Sequence, residues 1–198
     1  MALQAQIHCF NVESASELEQ LNEVAATLGA KAPISLRVNP NVDPKTHPYI
    51  ATGLKSSKFG VPFAAALPLY RHASTLPHLV IKGIDCHIGS QLLDPGPAAE
   101  AAQKIFSLAD TLAAEGMPLQ HIDLGGGMGI RYRNEKAPSV DEYLGPILAL
   151  MKGRKETLLI EPGRSLVGNA GVLLSRVEVI KHGEEKNFAV IDVAMNDL

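Results

Sequence analysis

Three short stretches of this sequence carry residues whose types and spacing could do chemistry together: "DCHIGSQ" (85–91), "HIDLGGGMGI" (121–130) and "EPGR" (161–164). The triplet Gly125-Gly126-Gly127 sits directly behind an apolar run, where glycine is a weak element former. Without Cβ atoms, such a turn can point backbone N–H groups at an anion, a phosphate above all. The same triplet also reads as a tight turn forced by packing. It is no dinucleotide fingerprint, because Ile130 stands where a third glycine is required, and no Walker loop, because the Lys-Ser/Thr pair is absent.

Glu161 precedes a proline, which biases it towards extended backbone at the end of a strand. A carboxylate placed there can hold a protonated ring nitrogen and raise its pKa by about 1–3 units. Gly163 permits close backbone approach, and Arg164 offers a fixed cation for phosphate or carboxylate. A plain surface Glu–Arg pair is the simpler alternative. Asp85 and His87 share one face of a strand, with Cys86 on the other, so Cys86 and His87 make a poor nucleophile–base pair. The flat imidazole of His87 can instead lie against an aromatic ligand, and Ser90 can donate to a phosphate. Either residue can also be an ordinary polar group at a strand end. No His or Cys pair has metal-ligand spacing, so no metal is expected.

The elements that must position these residues alternate. Strands are expected at "IHCF" (7–10), "PISLRVNP" (33–40), "HLVIKGIDCHIGSQ" (78–91), "HIDL" (121–124) and "TLLIEPGR" (157–164). Between them run helical stretches at 14–29, with Ser16 and Glu19 as a capping box; about 63–75, kinked or restarted at Pro68; 97–116; and from Ser139, boxed with Glu142, to Met151. A long segment rich in Gly, Pro, Ser and Lys occupies 41–62, a length that marks loops as functional or disordered. "GVLLSRVEVIK" and "FAVIDVAM" then read as two strands with no helix between them. This rhythm predicts an α/β fold, a parallel sheet covered by helices. Asn39-Pro40, His87–Gln91, Gly125–Gly129 and Glu161–Arg164 all fall at strand C-terminal ends, the rim where (β/α)₈ barrels and open α/β sheets bind ligands. Five strands do not close an eight-stranded barrel, so an excerpt from a longer protein is favoured over an open sheet.

Bulk composition is that of an ordinary globular chain: 198 residues, 46% hydrophobic and 20% charged, net charge −3. No basic field points to nucleic acid, no apolar run reaches membrane length, and no leader pattern opens the chain; a cytoplasmic protein is expected. Cys9 and Cys86 read as buried, reduced thiols.

Taken in order, "CFNVES…EL", "RVNP", "TGLKSSKFG", "HIGSQ", "LGGGMGI", "EPGR" and "IDVAMNDL" resemble the diaminopimelate decarboxylases over essentially the whole chain. These belong to the alanine racemase-like enzymes dependent on pyridoxal 5′-phosphate; ornithine and arginine decarboxylases share the outline. The resemblance implies a partial (β/α)₈ TIM barrel of about five βα units over residues 1–170 and the start of a C-terminal β domain over 171–198. It implies pyridoxal 5′-phosphate as cofactor, with Gly125, Gly126, Gly127, Ser90 and Gly163 at its phosphate and His87 stacked on its ring. Glu161 would hold the ring nitrogen, and Arg164 would serve both phosphate and a substrate carboxylate. The implied reaction is decarboxylation of meso-diaminopimelate to L-lysine and CO₂ by a homodimer. The family's Schiff-base lysine has no counterpart among the eleven lysines here; Lys55 and Lys58 match other family positions. The first barrel strands and most of the β domain are therefore expected to be missing, with no catalytic residue in this chain. The other readings are a non-catalytic half-barrel that binds pyridoxal phosphate or another phosphate ligand, and a decarboxylase of the same fold acting on ornithine or arginine.

Overall fold

Every strand that reaches the rim named above is laid parallel to its neighbour, in the ladder order Phe10–Val12, Ala32–Asn39, Leu79–Asp85, His121–Asp123, Thr157–Leu159. The computed structural model describes residues 1–46, 50–54, 57–194 and 196–197; Lys55, and the Met195 and Leu198 of "MNDL", lie outside the described residues. Two compact units are present, Met1–Ser165 and Leu166–Leu198.

The first unit runs β1 (Phe10–Val12), α1 (Ala15–Thr27), β2 (Ala32–Asn39), β3 (Val61–Pro62), α2 (Phe63–Thr75), β4 (Leu79–Asp85), α3 (Gly96–Ala114), β5 (His121–Asp123), α4 (Val140–Met151) and β6 (Thr157–Leu159). A short helix, α5 (Gly163–Val167), follows. The two-residue β3 adds to the end of β2, Val38 facing Val61. This is the partial α/β barrel that the sequence predicts. Parallel strands are covered on both faces, which is why β2 buries Ile34, Ser35 and Leu36 in one run. Helix α3 supplies much of the cover with Ala98, Ala101, Ala102, Ile105, Ala109 and Leu112, a stripe at helical period.

One irregularity in the sheet has a visible repair. The β2–β4 register shifts between Ile34 and Ser35. Tyr70, fully buried on α2, donates its hydroxyl to Gly83 O at 2.7 Å and accepts from Leu36 N–H at 3.3 Å. The phenol thus satisfies two backbone groups that the shifted ladder leaves apart. Gly83 has to be glycine, because a Cβ there would enter the ring of His121.

Several boundaries differ from expectation. The first strand is Phe10–Val12 rather than 7–10, because pairing with Ile34–Leu36 sets it. At α1 the cap is Ser14 rather than Ser16 and the box is not closed: Ser14 Oγ accepts from Glu17 N–H, while Glu17 Oε2 accepts from Glu13 N–H at 2.7 Å instead of from the cap residue's own N–H. Helices α2 and α4 continue through Pro68 and Pro146. Strand β4 stops at Asp85 and β6 at Leu159, so "HIGSQ" and "EPGR" leave the sheet and turn; Gly163 and Arg164 open α5. Cys86 is buried, but Cys9 is only half-buried; both are free thiols.

The second unit holds β7 (Val177–Lys181) and β8 (Phe188–Ile191), an antiparallel pair whose residues are all exposed. Arg176 N–H donates to Asp192 Oδ1 at 2.8 Å and Asp192 N–H returns to Arg176 O at 3.2 Å, fastening the open end of the hairpin.

Candidate functional site

Asn11 and Glu13 (at and after β1), Arg37 (β2), Asp85 and His87 (at and after β4) and Glu161 (after β6) line one cleft of about 300 Å³. The parallel sheet is what brings them together: each lies at the C-terminal end of its strand, on the side facing the same space. Cys86, between Asp85 and His87, is buried against Leu124, Tyr143 and Ile147 on the opposite face. The alternation expected of "DCH" therefore holds.

The glycine triplet adjoins this cleft through His87 and Glu161. Gly126 N–H donates to His87 Nδ1 at 3.2 Å, and Glu161 N–H donates to Gly125 O at 2.8 Å. A Cβ on Gly125 (φ 67°) would lie 2.7 Å from both Cys86 O and His87 Nδ1. One on Gly126 would enter the Glu161 carbonyl, and one on Gly127 (φ 106°) would enter Gly89 O. The other carbonyls of the triplet accept from Tyr143 Oη (3.3 Å, to Gly126) and Leu92 N–H (2.8 Å, to Gly127). The turn is thus a junction for four segments as well as a candidate anion seat. Its N–H groups correct the simplest form of the anion reading: Gly125 N–H is held by Asp123 Oδ1 at 2.8 Å and Gly126 N–H by His87. Only Gly127 N–H lacks a partner among the described residues.

Hydrogen bonding also fixes the state of His87. Its Nδ1 accepts a hydrogen bond from Gly126 N–H, and burial, with Arg37 adding to it, lowers the ring's pKa below 6.5. The imidazole is therefore neutral with its proton on Nε2. Burial first, and Asp123 second, raises the Glu161 carboxyl above its usual range. The same two causes push Asp85 up to about 8. Asp123 is itself raised by burial. The cleft is rich in carboxyls, and its one guanidinium is already engaged. Arg37 Nη1 meets Glu13 Oε1 at 2.7 Å, Glu13 Oε2 accepts from Gly60 N–H at 2.9 Å, and the guanidinium lies 5.0 Å from the Phe59 ring centre. Such a space suits a flat, nitrogen-bearing cation.

The remaining sequence candidates sit at the margin. Ser90 N–H donates to Ile50 O (3.1 Å) and Ser90 O accepts from Thr46 Oγ1 (2.9 Å); its own hydroxyl has no partner among the described residues. Arg164 does not line the cleft: its Nη1 reaches Gln91 Oε1 at 3.4 Å, and its guanidinium lies 6.0 Å from the Tyr132 ring centre. Gly163 N–H folds back on Glu161 O at 2.8 Å. Asn39 pins the long loop, donating to Leu54 O at 2.8 Å. Sequence reasoning missed Arg37, Glu13 and Asn11. The signal available was a lone arginine inside the otherwise apolar "PISLRVNP".

The family model described as the pyridoxal-binding domain of pyridoxal-dependent decarboxylases matches residues 1–168. Diaminopimelate decarboxylase of Neisseria meningitidis serogroup A is 57% identical over 197 residues, which is 100% of this chain and 48% of that protein. The Pseudomonas aeruginosa enzyme of the same name is 55% identical over the same shares. A crystal structure of diaminopimelate decarboxylase from Helicobacter pylori complexed with L-lysine superposes with a TM-score of 0.88 at 44% identity, covering 99% of this chain and 49% of that one. The chain spans about half the length of the curated relatives it matches. Matched over most of its residues to that one domain, the chain belongs to the pyridoxal-dependent decarboxylases.

Proposed function

We propose that this chain forms the cofactor-holding part of a diaminopimelate decarboxylase, a protein that converts meso-diaminopimelate to L-lysine and CO₂ with pyridoxal 5′-phosphate. The observation that carries the reading is the meeting of His87, Glu161 and the glycine turn at one cleft, although 74 residues separate the first two in sequence (161 minus 87). Identities above 50% to enzymes of that name over the whole chain support the substrate.

The residues present fit the group. A neutral imidazole can lie against an aromatic ring without charge repulsion, and Glu161 is a carboxylate acceptor for a ring N–H. The Gly127 N–H without a partner among the described residues and the Ser90 hydroxyl are available to a phosphate, and Gly163, with nothing within 4 Å of where a Cβ would stand, leaves room for its approach. When bound, pyridoxal phosphate supplies an electron sink for the bond that loses CO₂, deepened by a protonated ring nitrogen. Glu161 keeps that proton in place. His87 fixes the ring plane, its own orientation set by Gly126. Arg164 binds phosphate or a substrate carboxylate; its 3.4 Å bond to Gln91 is long, and a charged acceptor would replace it.

Among the described residues no lysine lines the cleft, and on this reading the chain by itself holds the cofactor without covalent capture and does not turn over substrate. Residues 171–198 begin a C-terminal β domain of the whole protein, which acts as a homodimer in the cytoplasm. In keeping with that place, no helix among the described residues is long and apolar enough to cross a membrane.

The deciding experiment exchanges this chain for the matching segment of the Neisseria meningitidis relative and measures CO₂ release from meso-diaminopimelate. Retained decarboxylation is expected. A chimera that folds and binds pyridoxal phosphate but releases no CO₂ would overturn the substrate assignment. The unfused chain mixed with the same reagents should release none. It should still show a saturable shift of the cofactor's visible absorbance, which borohydride does not fix.

A further inference from the structure

Asp85 lies at the wall of the cleft, yet nothing above gives it a task. Its side chain is 95% buried (5% exposed), and Oδ1 has no hydrogen-bond partner among the described residues. Oδ2 is 3.9 Å from Arg37 Nε, beyond hydrogen-bond reach. A carboxylate in that position gives up its water shell and receives little in return.

Its surroundings make ionisation harder still. Asp123 faces it from β5, Glu161 from the turn after β6 and Glu13 from the end of β1. Opposing these three carboxyls is the single guanidinium of Arg37, which is already paired to Glu13 at 2.7 Å. The remaining titratable neighbours, Cys9, Tyr70, Cys86 and the neutral imidazole of His87 in the same cleft, bring no positive charge at neutral pH. Burial and Asp123 together push Asp85 to about 8, so at neutral pH the empty cleft contains a carboxylic acid.

We propose that Asp85 is a further cofactor-binding residue, a neutral acid in the free cleft that ionises when an unprotonated, basic nitrogen heterocycle is seated beside Glu161. The O–H bond of Asp85 breaks, the proton goes to the ring nitrogen, and the new carboxylate joins Glu161 in holding the cation. No electrons change hands. The inference rests on the cofactor reading above, and it explains why a buried acid without a hydrogen bond stands at this wall.

The test has two arms. In the first, the ligand-free chain with ¹³C-labelled aspartate carboxyls is titrated by NMR. One resonance should titrate near pH 8 and be absent from Asp85→Asn. Titration of Asp85 in the ordinary carboxylate range would overturn the inference whatever the cofactor does. In the second, pyridoxine 5′-phosphate, which has no aldehyde and needs no lysine, is titrated calorimetrically in two buffers of different protonation enthalpy. Asp85→Asn should take up about one more proton from the buffer than the unsubstituted chain, and bind about tenfold more weakly, a shift of about one pKa unit. Equal proton uptake by the two proteins would overturn the inference. Absence of binding to either would overturn the cofactor reading and this inference with it, even if the first arm showed a neutral Asp85. Should Asp85→Asn fail to fold, the resonance titrating near pH 8 decides alone: ligand must move it to the carboxylate position.

Discussion

Glycine-to-alanine exchange in the triplet separates the two roles the turn plays. At Gly126 an added methyl group meets the Glu161 carbonyl, which is backbone and cannot swing aside. Overpacking of this kind costs about 1–3 kcal/mol. Gly126→Ala should therefore lower the thermal midpoint by several degrees and abolish pyridoxine 5′-phosphate binding; an unchanged midpoint by calorimetry would show that the junction is looser than its contacts indicate. Asp85 gives a second residue-scale prediction. Its carboxyl sits at about 8 in the folded chain against 3.8 ordinarily, so the folded state holds the extra proton between those values. Stability attributable to it is greatest at the acid end and falls as pH rises through that window. Asp85→Asn should flatten this fall and raise the midpoint near pH 8 relative to the unsubstituted chain. His87 acts in the opposite sense: with its pKa lowered, stability is full above 6.5 and declines as pH drops below it. The types and strand-end positions of His87 and Glu161 were readable from sequence. The engagement of the Gly125 and Gly126 N–H groups was not, because hydrogen-bond partners depend on where Asp123 and His87 point. Arg37 was passed over because an arginine in a strand reads as surface, whereas here Glu13 and Phe59 fold over it.

Helix α4 is the element that holds the glycine turn from behind. Tyr143 is buried, and its hydroxyl reaches Gly126 O across 17 residues of chain. Tyr143→Phe removes one neutral hydrogen bond, worth about 1 kcal/mol, and leaves the ring in place. A small fall in midpoint with a larger fall in ligand affinity would show that α4 positions the turn; equal falls would make it a packing contact only. At the start of the same helix, Ser139 Oγ accepts from Glu142 N–H and Glu142 Oε2 accepts from Ser139 N–H. Ser139→Ala should lower stability by about 1 kcal/mol in denaturant melts. That box was legible because only one Ser and one Glu offered the spacing. Before α1 two pairs did, Ser14–Glu17 and Ser16–Glu19, and choosing between them required knowing where β1 ends. Strand ends were the least legible feature throughout: an apolar run fixes that a strand exists, while its partner fixes where it stops.

Across the molecule, sheet position should rank local stability. Strands β2 and β4 are flanked on both sides, whereas β1 pairs only with β2, and β6 only with β5. Amide hydrogen exchange should be slowest at Ile34, Leu36 and Ile84 and fastest, among strands of this unit, in β1 and β6. Protection in β6 equal to that in β4 would mean another segment covers it. The order of elements was visible from sequence because hydrophobic runs and amphipathic stripes alternate so regularly, and that order is what sets His87 and Glu161 on one rim. The bond from Glu161 N–H to Gly125 O carries a consequence for how such a rim can diverge. It gauges the separation between the acid and the glycine seat in main-chain atoms alone. A descendant could exchange the acid for a different acceptor, and so retune the ring's electronics, while the length of ligand that fits between the two remains as it was.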